Sequence, residues 1–536
     1  MKVNLSSLRD TAAWEQAGVR LPAFDIAAMR EKTRKTPVWV HFGAGNIFRA
    51  FIAALQQRLL DSGDAECGII AADTFDVDNI RMIYGGYDNL TMSVTLNADA
   101  TIDKEIIASV SEALVAQPGE KADWKRLREI FAAPSLQMVS FTITEKGYAL
   151  RQINGSYLPA VAEDLEKGPG HPHHAMTTVT ALLLYRYMNG KAPLAVVSMD
   201  NCSHNGEKLR SSILEVAETW WKRGFVSWDF IAWLTDETRV SFPWSMIDKI
   251  TPRSAPAVQQ MLADAGIEDM APIQTPRGTF VAPFVNAEKP QYLVVEDRFP
   301  NGRPPLEKAG VYFTDRDTVN RTERMKVTTC LNPLHTALAV YGCLLGYTLI
   351  CEEMKDGDLV KLVRRLGYTE GLPVVTDPGI LSPRAFIDEV VEQRLPNPFM
   401  PDAPQRIATD TSQKVGIRFG ETIRSYAAEG RSMNQLVALP LVIAGWLRYL
   451  LGVDDEGNEM PLSSDPLLED LQKQLQGIEL GKPETAGNKL KPILANSLIF
   501  GSDLTRTPLA ARIEEYFREE TAGTGAVRTT LRKYLD

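Results

Sequence analysis

The stretch V-W-V-H-F-G-A-G-N-I-F-R-A-F-I-A-A-L-Q-Q-R-L-L, Val38–Leu60, decides the fold. Val38–Phe42 is a short β-branched and aromatic run, the composition of a buried strand. Phe51–Leu60 is an amphipathic helical run. Gly43 and Gly45 stand between them. Strand, glycine turn and helix in that order open a dinucleotide-binding Rossmann unit. Gly43 permits the tight turn, and Gly45 lets the backbone approach a pyrophosphate at the helix N-terminus. Phe48 occupies the place of the third glycine in G-x-G-x-x-G, and Arg49 follows it. A purely structural turn uses the same two glycines, so the flanking elements carry the reading.

Working outward, Gly68–Ala72 reads as the second strand. It ends at Asp73, with Asp76 and Asp78 just beyond. An acid at the end of this strand accepts the ribose hydroxyls and favours NAD over NADP. Asp73 follows Gly45 by 28 residues. Each of the three also reads as a solvated loop residue or a helix cap. Met138–Thr144 is a further buried strand, ending in Glu145, and Leu194–Met199 another, ending in Asp200 and Asn201. Strands alternating with helical stretches indicate a mostly parallel sheet. Ligands of such sheets bind beyond the carboxyl ends of the strands, where these polar residues stand.

Residues 242–252 read as a link, with Asp248 isolated among apolar neighbours, and a Pro-Gly loop near 299–305 suggests a boundary. The expected fold is α/β: a Rossmann-like, mostly parallel sheet domain with a helical leader over 1–300, then a mainly α-helical C-terminal domain over 301–536. The second domain contains K-V-T-T-C-L-N-P-L-H, Lys326–His335, followed by an apolar run to Cys351. Asn332 reads as a helix N-cap and Pro333 as the first helical residue. The helix is apolar on every face and should be buried. Lysine, amide and imidazole at its mouth are costly there without a purpose. They suggest the chemical end of an oxidoreductase site.

Bulk properties narrow the classes. Apolar content is 44%, charged content 24%, and the net charge −10. That balance argues against nucleic-acid or anionic-membrane binding. The five cysteines are scattered without C-x-x-C, which suits a reducing compartment and free thiols. His171, His173 and His174 cluster in a Pro-Gly loop rather than at metal-ligand spacing. No signal-peptide pattern opens the chain, and its two long apolar stretches read as core helices. A cytoplasmic, metal-independent protein is expected.

These blocks, in order, resemble the mannitol dehydrogenase family of polyol-specific, zinc-independent long-chain dehydrogenases. G-A-G-N-I-F-R-A at Gly43–Ala50, T-I-T-E-K-G-Y at Thr142–Tyr148 and S-M-D-N-C-S-H-N-G at Ser198–Gly206 are similar to its motifs. So are F-P-W-S-M-I-D-K-I-T-P, V-E-D-R-F-P-N-G-R-P, C-L-N-P-L-H, R-L-P-N-P and R-I-A-T-D-T-S-Q-K. Two departures stand out. Lys326 lies six residues before Asn332, where the family's lysine lies five before. In a strand that shift would turn the side chain to the opposite face, and a bulge or altered loop would restore it. Thr411 replaces the usual glycine.

The resemblance implies an active site between a nucleotide domain and a helical domain, with hydride transfer between NAD(H) and a sugar acid or polyol. D-Fructuronate to D-mannonate is the first expectation. Mannitol 2-dehydrogenase and tagaturonate reductase activities are the alternatives, and a non-catalytic NAD-binding sensor the reading from another class. It implies Lys326 as general acid–base, Asn201 and Asn332 holding the oxyanion, and His335 orienting a substrate hydroxyl. Asp248, Arg406, Lys414 and Glu145 would meet the substrate chain. Gly43, Gly45, Phe48, Arg49, Asp73 and Asp78 would serve the cofactor. The expected partner is that small molecule, with a monomer or small homo-oligomer as the assembly.

Overall fold

Val38–Phe42 yields strand β1 (Trp39–Phe42), buried along its whole length. The computed structural model describes residues 1–75, 77–276, 278 and 280–536. It divides into two compact units, Met1–Leu96 with Thr101–Asn320, and Asn97–Ala100 with Arg321–Asp536.

In the first unit, β1 pairs with β2 (Ile69–Asp73) and β4 (Met138–Phe141). β3 (Val110–Val115) flanks β2, while β5 (Leu194–Ser198) and β6 (Val240–Ser241) extend the other side. The spatial order is β3-β2-β1-β4-β5-β6, and every pairing is parallel. This is the Rossmann order, with its switch point between β1 and β4. Successive strand residues point to opposite faces. Accordingly Trp39, Ile69 and Met138 belong to one core and Val40, Ile70 and Val139 to another.

The helix after β1 opens at Asn46, widens into a π turn over Phe48–Ile52, and continues as α1 (Ala53–Asp61). Expected strand Met138–Thr144 stops at Phe141, because Thr144 already starts a short helix, Thr144–Tyr148. The expected link at 242–252 contains a strand, Ser245–Asp248, antiparallel to Tyr292–Glu296. Its apolar side chains, Met246 and Ile247, are buried, which the aspartate at its end obscured in sequence.

The second unit is helical. Helix α2 (Arg316–Met325) leads into it, followed by a π turn over Lys326–Cys330 and then α3 (Asn332–Leu344). As its composition demands, α3 is buried nearly all round. It packs on α4 (Ala438–Tyr449), which packs on α5 (Leu509–Glu520). The Tyr341 hydroxyl on α3 lies 2.8 Å from the Leu441 carbonyl and 2.6 Å from Glu520. Buried Glu370 caps α4, accepting backbone N–H bonds from Val437, Ala438 and Leu439 at 2.7–2.8 Å. An anion suits that end of a helix.

Candidate active site

The glycine turn is built at the switch point. Gly43 has φ +99°, and a Cβ there would lie 2.2 Å from the Thr142 carbonyl oxygen. Only glycine lets the end of β1 pass so close to the end of β4. At Gly45, by contrast, a Cβ would meet nothing within 4 Å. The Ala44 peptide between them is clamped. Its N–H donates to Asp73 Oδ2 at 3.2 Å, and its carbonyl accepts from Asn79 at 2.8 Å and the Tyr84 hydroxyl at 2.9 Å. The other oxygen of Asp73 accepts the Phe75 N–H at 2.8 Å.

Asp73 thus braces the turn from the strand end. Asp78 sits in the first turn of the short helix Val77–Asn79, and Asp76 lies outside the described residues. Phe48 is buried, its ring stacked on His41 with centroids 4.5 Å apart. Arg49 is also buried, and burial pulls its pKa down. It donates to the Ala282 carbonyl and to Asn46 Oδ1, both at 2.9 Å. A hollow of about 670 Å³, bordered by Asn46, Arg253, Phe280 and Ala282, adjoins the turn. A rigid turn, an open face over Gly45 and a helix N-terminus together fit a dinucleotide pyrophosphate.

At the neighbouring strand ends, Asp200 organises the backbone. It accepts N–H bonds from Ile143 and Thr144, each 2.9 Å, and the Tyr148 hydroxyl. Burial pushes its pKa up. Asn205 ties the Asp200 carbonyl to Ser245 at 2.9 and 3.0 Å, joining β5 to the Ser245–Asp248 strand. Asp200 and Asn205 therefore act as clamps in the S-M-D-N-C-S-H-N-G block, while Asn201 is exposed. Glu145 is exposed and pairs with Lys208. Asp248 is buried at the end of its strand.

In the second unit, Lys326 is buried and begins the π turn. Its carbonyl accepts the Leu331 N–H at 3.1 Å, a bond spanning five residues. A π turn carries one residue more than an α turn, so it is the helical counterpart of a bulge. Lys326 therefore stands in a helical turn and not in a strand, so one residue more before Asn332 does not turn its side chain to an opposite strand face. Asn332 is not the N-cap. The chain arrives already helical, Leu331 makes the break with φ −128° and ψ −62°, and Asn332 is the first residue of α3. Its carboxamide is consequently left without a hydrogen-bond partner among the described residues.

One turn on, His335 Nε2 lies 3.4 Å from Asp402 Oδ2. The other Asp402 oxygen pairs with Arg406, whose side chain is largely exposed. Burial raises the Asp402 carboxyl, but His335 and Arg406 outweigh it and hold the pKa below its ordinary value. Lys414 donates to the Thr409 carbonyl. Its pKa is lowered, first by burial and then by Arg418. Sequence reasoning missed Asp402, Asn79 and Tyr84. Asp402 lies in a proline-rich break that reads as a loop, and the other two act on the Ala44 carbonyl, a backbone target that no side-chain motif marks. Among the described residues, no His, Cys, Asp or Glu side chains gather into a metal-holding group, and no helix is long and apolar enough to cross a membrane.

A Rossmann-ordered sheet with an open glycine turn, and a helical unit presenting amide, imidazole and basic groups, define an oxidoreductase of the two-domain dehydrogenase class. Residues 38–308 match the mannitol dehydrogenase Rossmann domain, and residues 318–519 the mannitol dehydrogenase C-terminal domain. The chain belongs to the mannitol dehydrogenase family. It is 52% identical to a D-mannonate oxidoreductase of Thermotoga maritima, over 100% of this chain and 99% of that protein. It is also similar to the Pseudomonas fluorescens mannitol 2-dehydrogenase, solved as a ternary complex with NAD and D-mannitol. That match has 29% identity and a TM-score of 0.68, covering 100% and 99% of the two chains. A D-sorbitol dehydrogenase gives 26% identity and a TM-score of 0.77 over 95% and 97%.

Proposed function

We propose that this protein is an NAD-dependent oxidoreductase interconverting D-fructuronate and D-mannonate. The observation that carries this reading is the end-to-end likeness, at 52% identity, to a protein named D-mannonate oxidoreductase. The basic groups Arg406, which shares Asp402 with His335, and Lys414 suit an anionic sugar. Cofactor work falls to the first unit, and substrate chemistry to Lys326, Asn332 and His335 of the second together with Asn201, Asp248 and Glu145 of the first.

The nicotinamide supplies or accepts the hydride. Gly43, Gly45 and the Ala44 clamp present the turn to the pyrophosphate, with Asp73 and Asp78 as ribose acceptors and Phe48 and Arg49 supporting the turn. As the ketone is reduced, charge grows on its oxygen, and the Asn201 and Asn332 carboxamides donate to it. Lys326 delivers the proton to that oxygen, and removes it in the reverse direction. His335, with Asp402 beside its Nε2, orients a neighbouring hydroxyl. Asp248, Arg406, Lys414 and Glu145 meet the rest of the chain. The expected setting is the cytoplasm, as a monomer or small homo-oligomer.

The test is NADH oxidation with D-fructuronate, D-tagaturonate and D-fructose in parallel. Turnover of D-fructuronate above the other two is expected. Activity on fructose alone would remove the uronate reading. NADH binding without turnover on any of them would favour a non-catalytic sensor.

A further inference from the structure

Arg418 plays no part in the site as read from sequence, yet it stands beside that site's groups. Its Nη1 donates to the Thr336 hydroxyl. That hydroxyl donates in turn to the Asn332 carbonyl at 2.8 Å. The guanidinium is thereby fixed against the first turns of α3, at the residue that follows His335 in the chain and one turn from Asn332. Lys414 is close enough for the two cations to oppose each other.

Among the described residues no carboxylate pairs with Arg418, and its Nε and Nη2 have no hydrogen-bond partner. Burial pulls its pKa down to about 10 with no opposing contribution. Its neighbours differ. Arg406 has Asp402, and Lys414 has Asp410 and Asp465 in its surroundings. A largely buried guanidinium without an acid is costly unless an anion arrives to meet it. Its free edge offers the planar fork that receives a carboxylate through two parallel hydrogen bonds. One helical turn, about 5.4 Å, separates Asn332 from Thr336. An extended chain from the second to the last carbon of a ketohexuronate has a similar length. A carbonyl at Asn332 therefore places the acid end near the guanidinium.

We propose that Arg418 is the specificity-determining residue that receives the substrate's carboxylate, with Thr336 as its anchor, and so separates sugar acids from neutral ketoses. This rests on the ketouronate reading given above.

The experiment compares full-length wild type with Arg418→Gln and Arg418→Lys, using NADH with D-fructuronate and thermal melts as the check on folding. Arg418→Gln should raise KM about 10- to 100-fold, the range of a lost charge-assisted pair, with a smaller change in kcat. Arg418→Lys should recover part of the loss, because it restores charge but not the fork. Thr336→Val, which frees the guanidinium without deleting it, should raise KM less than Arg418→Gln, and decides the matter if Arg418→Gln fails to fold. If wild type turns over D-fructuronate and these variants keep its KM, the Arg418 assignment is wrong and the ketouronate reading stands. If wild type does not turn over D-fructuronate at all, both fall together.

Discussion

Asp402 Oδ2 lies 3.4 Å from His335 Nε2, while the other oxygen of the same carboxylate holds Arg406. One acid thus faces an imidazole on α3 and holds a guanidinium from the helix Pro404–Ile407. Asp402→Asn keeps the shape and removes the charge. It should raise KM for the sugar substrate about 10-fold, the scale of one charge-assisted contact. Steady-state kinetics checks this, and an unchanged KM would show that His335 and Arg406 are placed without Asp402.

Lys326 is buried at the head of the π turn. Removing a general acid–base group typically costs 10²- to 10⁴-fold. Lys326→Ala should therefore lower kcat by about that factor, while NADH titration gives a dissociation constant within about twofold of wild type. Wild-type turnover in this variant would refute the role.

Gly43 and Gly45 should respond differently to the same methyl group. At Gly43 the added carbon would strike the Thr142 carbonyl at 2.2 Å, from a φ of +99°. Gly43→Ala should lower the melting temperature and abolish NADH binding together. At Gly45 the added carbon meets nothing of the protein within 4 Å. Gly45→Val should melt like wild type yet bind NADH at least 10-fold more weakly, because the side chain fills the space left for a pyrophosphate. Undiminished affinity in a folded Gly45→Val would mean that the ligand does not lie over this turn.

How much of this was legible followed from the range of the interactions. V-W-V-H-F, the two glycines and the later apolar runs announce a parallel sheet because buried strands and tight turns are written locally. The apolar stretch 333–351 announced a buried helix in the same way, although that helix stops at Leu344 and a second short one opens at Ile350. Strand ends were less legible. Met138–Thr144 stops early because Asp200, far along the chain, draws the Ile143 and Thr144 N–H groups to itself. Asn332 looked like a cap because Asn-Pro commonly opens a helix, but the preceding π turn moves the cap to Leu331. No local pattern betrays a π turn, so the displaced Lys326 suggested a strand bulge rather than a helical one. Arg418 was invisible for a further reason. Its significance lies in the lack of a nearby acid among the described residues, which only three-dimensional placement reveals.

His41 carries a pH dependence of stability. Its ring is fully buried in β1, with Nδ1 2.7 Å from Ser140 Oγ and Nε2 2.8 Å from Thr142 Oγ1. Burial pulls its pKa from 6.5 down to about 3. The unfolded chain takes up a proton near pH 6.5, and the folded protein does not until near pH 3. Between those values the unfolded state binds more protons, so this group's effect on stability worsens as pH falls through the window and is absent above it. From neutrality to about pH 5 the loss is on the order of 2 kcal/mol, at about 1.4 kcal/mol per unit. His41→Gln keeps hydrogen-bonding capacity without a titrating ring. Urea unfolding followed by tryptophan fluorescence should show a smaller drop in midpoint between about pH 7.5 and pH 5 in the variant than in wild type. Trp39, whose indole donates to the same Ser140 hydroxyl at 2.7 Å, sits beside the group being titrated. Equal drops in the two proteins would assign the acid sensitivity to other groups and leave His41 with a packing role only.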